Sequence, residues 1–382
     1  MVMATIASLP VELLFMVIEE AKYHKGLKTL RCVNKLLCEL VEPILFETVV
    51  FDSKSKLGSS LEMLCAVSDS DSQRSRPIGL YVQCLIIRCF GRVFSGPRTL
   101  SSNREDDSDL LRKMKPDEIQ REFDERLLKA LGSLKRLKSV QVFSGFDCLS
   151  PSSLWSSLLT HHISLTSLIV WAKTEKSLLD YLNSYSGIKE LRIHRAWVSS
   201  DTTVDRELAE YFVETVLPRH QQTLRDLTVT AAEEGPWAAA RWNSEQYEVG
   251  EELRSLEVSV NSEEVGPGAE EDAVTSILSV AHRLRNLRCV SFCTADSRRW
   301  GSSWGWLSQQ HEPHTIALIT QRVLNFGIPQ DSQRESPNVE VDGQVYKPKL
   351  GEDGDFRYSP TMSEEEAKIR RWRQQKAQLS IL

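Results

Sequence analysis

One short apolar pattern, L-x-x-L-x-V, recurs through the middle of the chain. Five copies follow it closely, a sixth is slightly displaced, and Val82 begins an earlier outlier. The second apolar position of the six copies falls at Val140, Leu168, Leu191, Leu227, Leu256 and Leu287. The spacings are therefore 28, 23, 36, 29 and 31 residues. Spacings of this length predict an array of similar structural units with insertions.

Each copy predicts a short strand, because alternate residues of a strand face the same side and L-x-V places two apolar residues there. Between the copies, apolar residues recur at helical spacing, as at Leu154 and Leu158 and at Val274 and Leu278. Strand and helix therefore alternate, which predicts an α/β fold with a curved parallel sheet backed by helices. A globular α/β core built from the same elements is the alternative.

The N-terminal segment has the pattern of a small helical module. Ser8, Pro10 and Glu12 together mark the start of a helix. Gly26 then allows a turn, and a second apolar helical stripe ends before Pro43. A module of roughly 45 residues has a marginal core, so exposed apolar side chains would gain by docking on a partner.

The order of residues in this module resembles an F-box, most closely the short F-boxes of fungal proteins. The resemblance is carried by Leu9-Pro10-Val11-Glu12-Leu13-Leu14, by LKTLRCVNK at 27–35 and by Pro43-Ile44-Leu45-Phe46. The chain differs from many relatives at Asn34 and Leu37, where they have cysteine and tryptophan. The resemblance implies a three-helix module that binds a Skp-family adaptor and, through it, the cullin scaffold of a ubiquitin ligase.

The resemblance also implies, by motif position, which residues contact the adaptor. They are Leu9, Pro10, Leu13, Leu14, Ile18, Leu30, Val33 and Leu37. The alternative is that the same leucines only fill the internal core of the module.

The repeated pattern is similar to the leucine-rich repeats that many F-box proteins carry. The asparagine that follows the strand in a regular repeat is absent, since residues such as Lys173 and Ala196 stand there. An irregular leucine-rich-repeat-like array is therefore expected, with a concave strand face that binds a target protein. The outward strand positions expected to line that face are Trp171, Arg192, His194, Thr228, Glu257 and Arg288.

Changes in composition predict the domain organisation. The segment 231–250 is an aromatic loop that could close over one side of the sheet or cover its edge. The segment 328–360 is rich in Pro, Gly, Asp and Ser, which is typical of a disordered tail. The predicted boundaries are 5–51 for the F-box, 52–94 for a connecting segment with the first repeat-like strand, 95–115 for a mobile polar insertion, 116–327 for the repeat domain, and 328–382 for a tail with a helix near 363–379.

The composition adds limits on the partners. A net charge of -6 without a basic stripe makes nucleic acid an unexpected partner. No secretory signal or membrane-spanning apolar run is readable, so an intracellular protein, cytoplasmic or nuclear, without membrane contact is expected. The eight cysteines form no CxxC pair and are expected to be buried free thiols. A zinc site using Cys84 and Cys89 is the alternative, although their spacing is not typical of ligands.

No catalytic motif is readable along the chain: H-E-x-x-H, a phosphate-binding Gly-rich loop ending in Lys-Ser/Thr, and G-x-S-x-G are all absent from the sequence. No catalytic residue, metal or cofactor is therefore expected. The sequence predicts the substrate-recognition subunit of an SCF-type ubiquitin ligase, with an unknown protein substrate. The alternative is a scaffold that binds a Skp adaptor without promoting ubiquitination.

Overall fold

The computed structural model forms two compact units, Met1–Val140 and Gln141–Leu382. The predicted polar insertion at 95–115 lies outside the described residues. The structure describes residues 9–23, 26–52, 78–89, 116–144, 151–196, 202–231, 234–238, 251–266, 272–295, 305–329, 336–351, 354–363, 365–370 and 372–373.

The first unit contains helices and two paired strands. Strands β1 and β2 are parallel, with Val49 opposite Leu85. Both of these residues are buried, whereas Val50 is exposed, as the period of two along a strand requires. The elements are α1 (Val11–Tyr23), α2 (Leu27–Leu30), α3 (Lys35–Leu45), β1 (Thr48–Asp52), β2 (Cys84–Cys89) and α4 (Pro116–Ser133). Strand β3 (Ser139–Ser144) spans the boundary between the units.

The second unit alternates strands with helices. Its strands are β4 (Ser167–Trp171), β5 (Glu190–Ala196), β6 (Asp226–Ala231), β7 (Ser255–Val260), β8 (Cys289–Thr294), β9 (Asn338–Val341), β10 (Gln344–Leu350) and β11 (Phe356–Pro360). Its helices are α5 (Ser152–Thr160), α6 (Lys176–Asn183), α7 (Thr202–Tyr211), α8 (Leu217–His220), α9 (Ala273–Ala281) and α10 (Gly305–Asn325). A π-helical turn, Phe212–Val216, joins α7 to α8.

The strands of the second unit pair in sequence order. From β4 to β9 every pair is parallel, whereas β10 pairs antiparallel with β9 on one side and with β11 on the other. The predicted α/β class is confirmed as a large, mostly parallel sheet backed by helices. Strands and helices alternate because two consecutive parallel strands need a crossover connection, and a helix supplies it.

The register explains the repeated L-x-V pattern. Two rows of apolar residues run across the strands on the helix-covered face, and all of them are buried. One row is Leu191, Leu227, Leu256, Val290 and Val339, and the next is Ile193, Val229, Val258, Phe292 and Val341. The first leucine of the pattern lies in the turn before each strand and is also buried, as at Leu224 and Leu253.

The sixth copy of the pattern was placed three residues too early. Val290, and not Leu287, stands opposite Leu256 in the register. Leu287 instead occupies the turn before β8, equivalent to Leu253, and the copy is Leu287-Arg-Cys-Val290-Ser-Phe292. The prediction that Arg288 occupies an outward strand position is therefore wrong, because Arg288 precedes the strand.

The prediction of a disordered segment at 328–360 is also wrong, because this segment contains strands β9, β10 and β11. Val339 and Val341 repeat the L-x-V pattern at the edge of the parallel sheet. Asp342 and Gly343, both with positive φ, form the two-residue turn from β9 to β10. The aromatic ring of Tyr358 is buried and secures β11. The helix predicted near 363–379 is described at 365–370 and 372–373, and its remaining residues lie outside the described ranges.

Side chains from the helices satisfy the backbone of the turns that precede the strands. The hydroxyl of Tyr181 donates to the carbonyl of Ile163 at 2.8 Å. His220 contacts the carbonyl of Leu182 through Nε2 at 3.0 Å, and its Nδ1 accepts from the amide of Ile188 at 3.4 Å. These contacts supply hydrogen-bond partners to backbone groups that the pairing of the strands does not reach.

His282 lies at the centre of a partly buried series of hydrogen bonds between α9 and the C-terminal strands. Its Nδ1 is 3.2 Å from the hydroxyl of Ser336, and its Nε2 is 3.1 Å from the hydroxyl of Tyr358. Tyr358 donates its proton to the carbonyl of Pro337 at 3.1 Å, so Nε2 of His282 must be the donor to Tyr358. The imidazole also stacks on Phe326 with its centroid 5.5 Å away. With the His282 ring neutral, each donor in this series of hydrogen bonds therefore faces an acceptor.

This arrangement predicts a pH-dependent stability. Burial lowers the pKa of His282 to about 4, whereas an unfolded histidine titrates near 6.5. The folded state therefore binds fewer protons, so the stabilisation is complete above about pH 6.5 and is lost as the pH falls towards 4. We expect a loss of about 2 kcal/mol across that window, allowing for partial solvent screening. Urea denaturation of the wild type and of His282→Gln at several pH values checks this. An equally steep decline in both proteins would contradict it.

Candidate protein-binding surfaces

Helix α1 exposes large apolar side chains on both sides of its buried stripe. The exposed fractions of Leu13 and Met16 are 43% and 68%, and these residues share one side of the helix because they are three positions apart. Val11 and Phe15, each 48% exposed, share the other side at a spacing of four. Such exposure is typical of a helix that contacts a partner.

The structure separates the predicted adaptor-binding residues into two groups. Leu14, Ile18 and Leu37 are buried and, together with Val41, form the apolar core of the three helices. Their side chains hold the helices in place and are not open to a partner. The accessible members are Leu9, Pro10, Leu13, Leu30 and Val33, of which Leu30 is half-buried. Sequence reasoning missed Val11, Phe15, Met16 and Leu36, which are exposed as well.

The two positions at which the chain differs from many F-boxes have structural tasks in this fold. The side chain of Asn34 caps helix α3 by accepting from the amide of Leu37 at 2.8 Å. Arg31 ties the preceding turn to the same helix through a 2.7 Å ion pair with Glu42. Its guanidinium also lies 5.3 Å from the ring centre of Phe46. These contacts fix the turn between α2 and α3, which carries the exposed side chain of Val33.

The second surface is the sheet face opposite the helix-covered one, here called the polar sheet face. One row of residues crosses it in register from β4 to β9: Ile169, Arg192, Thr228, Glu257, Ser291 and Glu340. Three of the predicted target-binding residues, Arg192, Thr228 and Glu257, are neighbours in this row. Adjacent members are separated by one strand spacing, about 4.8 Å.

Glu257 lies at the centre of this row. Its carboxylate accepts from the hydroxyl of Thr228 at 3.1 Å. Burial raises the pKa of Glu257, the hydrogen bond from Thr228 and the charge of Arg192 lower it, and the negative charge of Glu340 raises it. Within the part of the chain that the structure describes, no basic side chain lies within 4.0 Å of this carboxylate. Arg192 pairs instead with Glu190 at 2.8 Å.

An aromatic cluster lies beside this row, on strands β3 to β5. The ring of Trp171 stacks on His194 with centroids 4.0 Å apart and faces Phe143 at 6.4 Å. Trp171 and His194, both predicted to line the target surface, are thus brought together one row above Ile169 and Arg192. His194 and Phe143 are nearly buried, so Trp171 is the more accessible ring of the cluster.

The C-terminal helix, residues 365–370, lies against one end of the polar sheet face. Arg370 donates to the carboxylate of Glu340 at 2.9 Å, and Ala367 is buried. Ser363 and Glu366 form a reciprocal cap at the start of this helix. Sequence reasoning missed Ser291 and Glu340 because it placed β8 out of register and β9 in a disordered tail. The short V-E-V alternation at 339–341 was the available signal.

The aromatic loop at 231–250 is described only at 234–238. There the indole of Trp237 is buried and lies 5.6 Å from Phe212, which belongs to the π-helical turn. Trp237 thus packs on the helix side of the sheet. Trp242 and Tyr247 lie outside the described residues.

The cysteines whose state is described are free thiols, and they are less buried than predicted: Cys32 is exposed and four others are half-buried. Burial raises the pKa of Cys289 to about 11. Among the residues that the structure describes, no group of three or more His, Cys, Asp and Glu side chains is arranged to hold a metal ion. None of the helices in these ranges is both long and apolar enough to cross a membrane.

Comparison with protein-family models finds no family that matches this chain, and comparison with curated proteins finds no match either.

Proposed function

We propose that this chain is the substrate-recognition subunit of an SCF-type ubiquitin ligase. Helices α1 to α3 act as an F-box that binds a Skp-family adaptor, and the strand and helix array acts as an irregular leucine-rich-repeat-like domain that binds a target protein. The chain itself supplies no catalytic group. It raises the local concentration of the target near the ligase, which accelerates transfer by proximity.

The exposed apolar side chains of α1 carry the adaptor-binding half of the proposal. A module of this size has few residues to bury, yet Leu13, Phe15 and Met16 remain in contact with solvent. Leu14 and Ile18 already close the core beneath them. The exposed side chains therefore have no internal task, and burial against a partner would remove their contact with water.

The polar sheet face supports the target-binding half. A parallel sheet is ordinarily covered on both faces, whereas Arg192 and Glu257 on this face remain partly accessible and Trp171 stands beside them. Charged, polar and aromatic groups side by side are typical of protein-binding surfaces. A concave curvature of the array, as in leucine-rich repeats, would bring these residues around a target.

A paired set of variants tests adaptor binding. Leu13→Glu with Met16→Glu is expected to reduce co-purification with a Skp-family adaptor at least ten-fold, because charges replace exposed apolar contacts. The matched control is Leu159→Glu with Val204→Glu, which makes the same two changes at exposed positions of α5 and α7. The control should bind the adaptor like the wild type.

Far-UV circular dichroism and the thermal midpoint of each variant show whether the fold is intact. The change Leu9→Ala with Pro10→Ala, in the segment before α1, should weaken binding in the same way. Adaptor capture that is equal in all of these variants and the wild type would refute the F-box assignment. Adaptor capture without ubiquitin transfer to any captured protein would favour a scaffold in place of a ligase subunit.

A further inference from the structure

Among the described residues, the charged side chains towards both ends of the central row of the polar sheet face form ion pairs, whereas Glu257 at its centre forms none. Arg192 pairs with Glu190, and Arg370 of the C-terminal helix pairs with Glu340. Between them, the carboxylate of Glu257 accepts a hydrogen bond from the neutral hydroxyl of Thr228. A hydrogen bond from a neutral donor offsets only part of the desolvation cost of a partly buried carboxylate. A cation placed beside the carboxylate would offset the rest.

The chain itself shows which group this face accepts. The guanidinium of Arg370 approaches from a separate element and binds Glu340 at 2.9 Å. Glu340 is two strands from Glu257 in the same row, with Ser291 between them. A second basic side chain could bind Glu257 in the same manner, because the intervening serine is small and leaves the carboxylate accessible from that side.

We propose that the polar sheet face binds a basic segment of the target protein, with an arginine or lysine side chain seated on Glu257. This inference rests on the proposed function, because it takes the sheet face as the target-binding surface. The Arg370–Glu340 pair is then an internal copy of the contact that the target makes. Arg192, held by Glu190, borders the site on the β5 side, so that a single basic group fits between the two arginines.

Three other features of the face agree with this occupant. Glu257 carries the negative charge at the centre of the row, between the positive charge of Arg192 and the negative charge of Glu340, and a carboxylate attracts a cation and repels an acidic segment. The methylene stem of an arginine or lysine can lie along Thr228 and Ser291, whose side chains are short. Trp171 provides an apolar neighbour for the flanking residues of the segment.

The test measures binding of short labelled peptides to the full chain by fluorescence anisotropy. The probes are hexa-arginine, hexa-lysine and hexa-glutamate. We expect the two basic peptides to bind and hexa-glutamate not to bind. Glu257→Gln should weaken binding of the basic peptides about ten-fold, since the variant keeps the shape and the Thr228 hydrogen bond but loses the charge. The matched control, Glu207→Gln on α7, removes one exposed charge elsewhere and should bind as the wild type does.

A second pair of variants tests the role of Arg370. Arg370→Ala should strengthen binding of hexa-arginine several-fold, because it removes the guanidinium that binds Glu340 and competes with the probe. Arg373→Ala removes the same charge from an exposed position of the same segment and should strengthen it less. Equal effects of Glu257→Gln and Glu207→Gln, or of the two arginine variants, would overturn the inference by showing that net charge alone governs binding.

The adaptor experiment on the same variants keeps the two proposals apart. Adaptor capture together with peptide binding that ignores Glu257 would overturn this inference and leave the proposed function intact. Peptide binding that depends on Glu257 in a chain that captures no adaptor would support the basic-segment site and refute the ligase assignment.

Discussion

Trp155→Ala is expected to lower the free energy of unfolding of the second unit by about 4 kcal/mol. Trp155 lies on α5, and its large indole side chain is completely buried. Its indole stacks on Tyr181 of α6 with centroids 6.2 Å apart, so it joins two consecutive helices behind the sheet. Alanine would remove that contact and leave a cavity that the neighbouring helices can fill only in part.

Trp155→Phe provides the matched control. The indole Nε1 is buried and has no hydrogen-bond acceptor among the described residues, which is an unfavourable state for a donor. Phenylalanine keeps most of the ring and removes this donor, so we expect a cost under about 1.5 kcal/mol. Urea denaturation followed by circular dichroism measures both variants, with the m-value reporting any loss of two-state behaviour. If both changes cost the same, packing of the indole is not what stabilises α5 and α6.

His220→Leu is expected to lower the free energy of unfolding by about 3 kcal/mol, because it leaves two buried backbone groups without partners. The histidine accepts from the amide of Ile188 and contacts the carbonyl of Leu182 as a donor. Burial lowers the pKa of His220, so the neutral ring, with the proton on Nε2, is the form that makes both contacts. The edge of the ring also packs against Tyr185 at 5.4 Å.

Two further variants separate the two contacts of His220. Glutamine can place its amide nitrogen at the position of Nε2 and donate to the carbonyl of Leu182. Asparagine is shorter, so its oxygen reaches only the position of Nδ1, where it can accept from the amide of Ile188. The contact with Leu182 is 3.0 Å long and the contact with Ile188 is 3.4 Å, so glutamine should recover more stability than asparagine. Thermal and urea midpoints of the three variants decide this. A leucine variant as stable as the wild type would show that neither contact matters.

The strands of the array were predictable because their pattern is local. Two apolar residues at alternate positions after a leucine are sufficient to specify which side of each strand is buried, and the four copies from β4 to β7 agree with the register. The displaced copy failed because Leu284 and Leu287 offered the pattern one turn too early. Only the pairing of Leu256 with Val290 corrects this, and pairing is a contact between residues distant in sequence.

The C-terminal strands escaped prediction for a related reason. Val339 and Val341 are only two apolar residues amid Pro, Gly and Asp, and composition alone favours disorder there. Residues 338–341 form a strand because their backbone pairs with the edge strand β8. The dipeptide Asp342-Gly343 is typical of a two-residue hairpin turn, but the composition of 328–360 favoured the prediction of disorder.

On the candidate surfaces, the motif identified the helices but not the sides of the helices. Ile18 and Met16 are both apolar residues of α1, yet one is fully buried and the other largely exposed. The apolar pattern of α1 does not predict how wide the buried part of the helix is, because that width depends on how the other helices of the module pack against α1. The exposed set therefore emerged only with the three helices in place.

By itself, the sequence determined the α/β class, the alternation of strand and helix, the helical N-terminal module and the outward strand positions of Arg192, Thr228 and Glu257. These follow from periodicities of 2 and 3.6 residues, which each segment carries on its own. The tertiary structure alone decided the register of β8, the strand identity of β9 and the seating of Arg370 on Glu340. Those features depend on hydrogen bonds and charges between segments far apart in the chain, and no local pattern contains the geometry that brings such segments together.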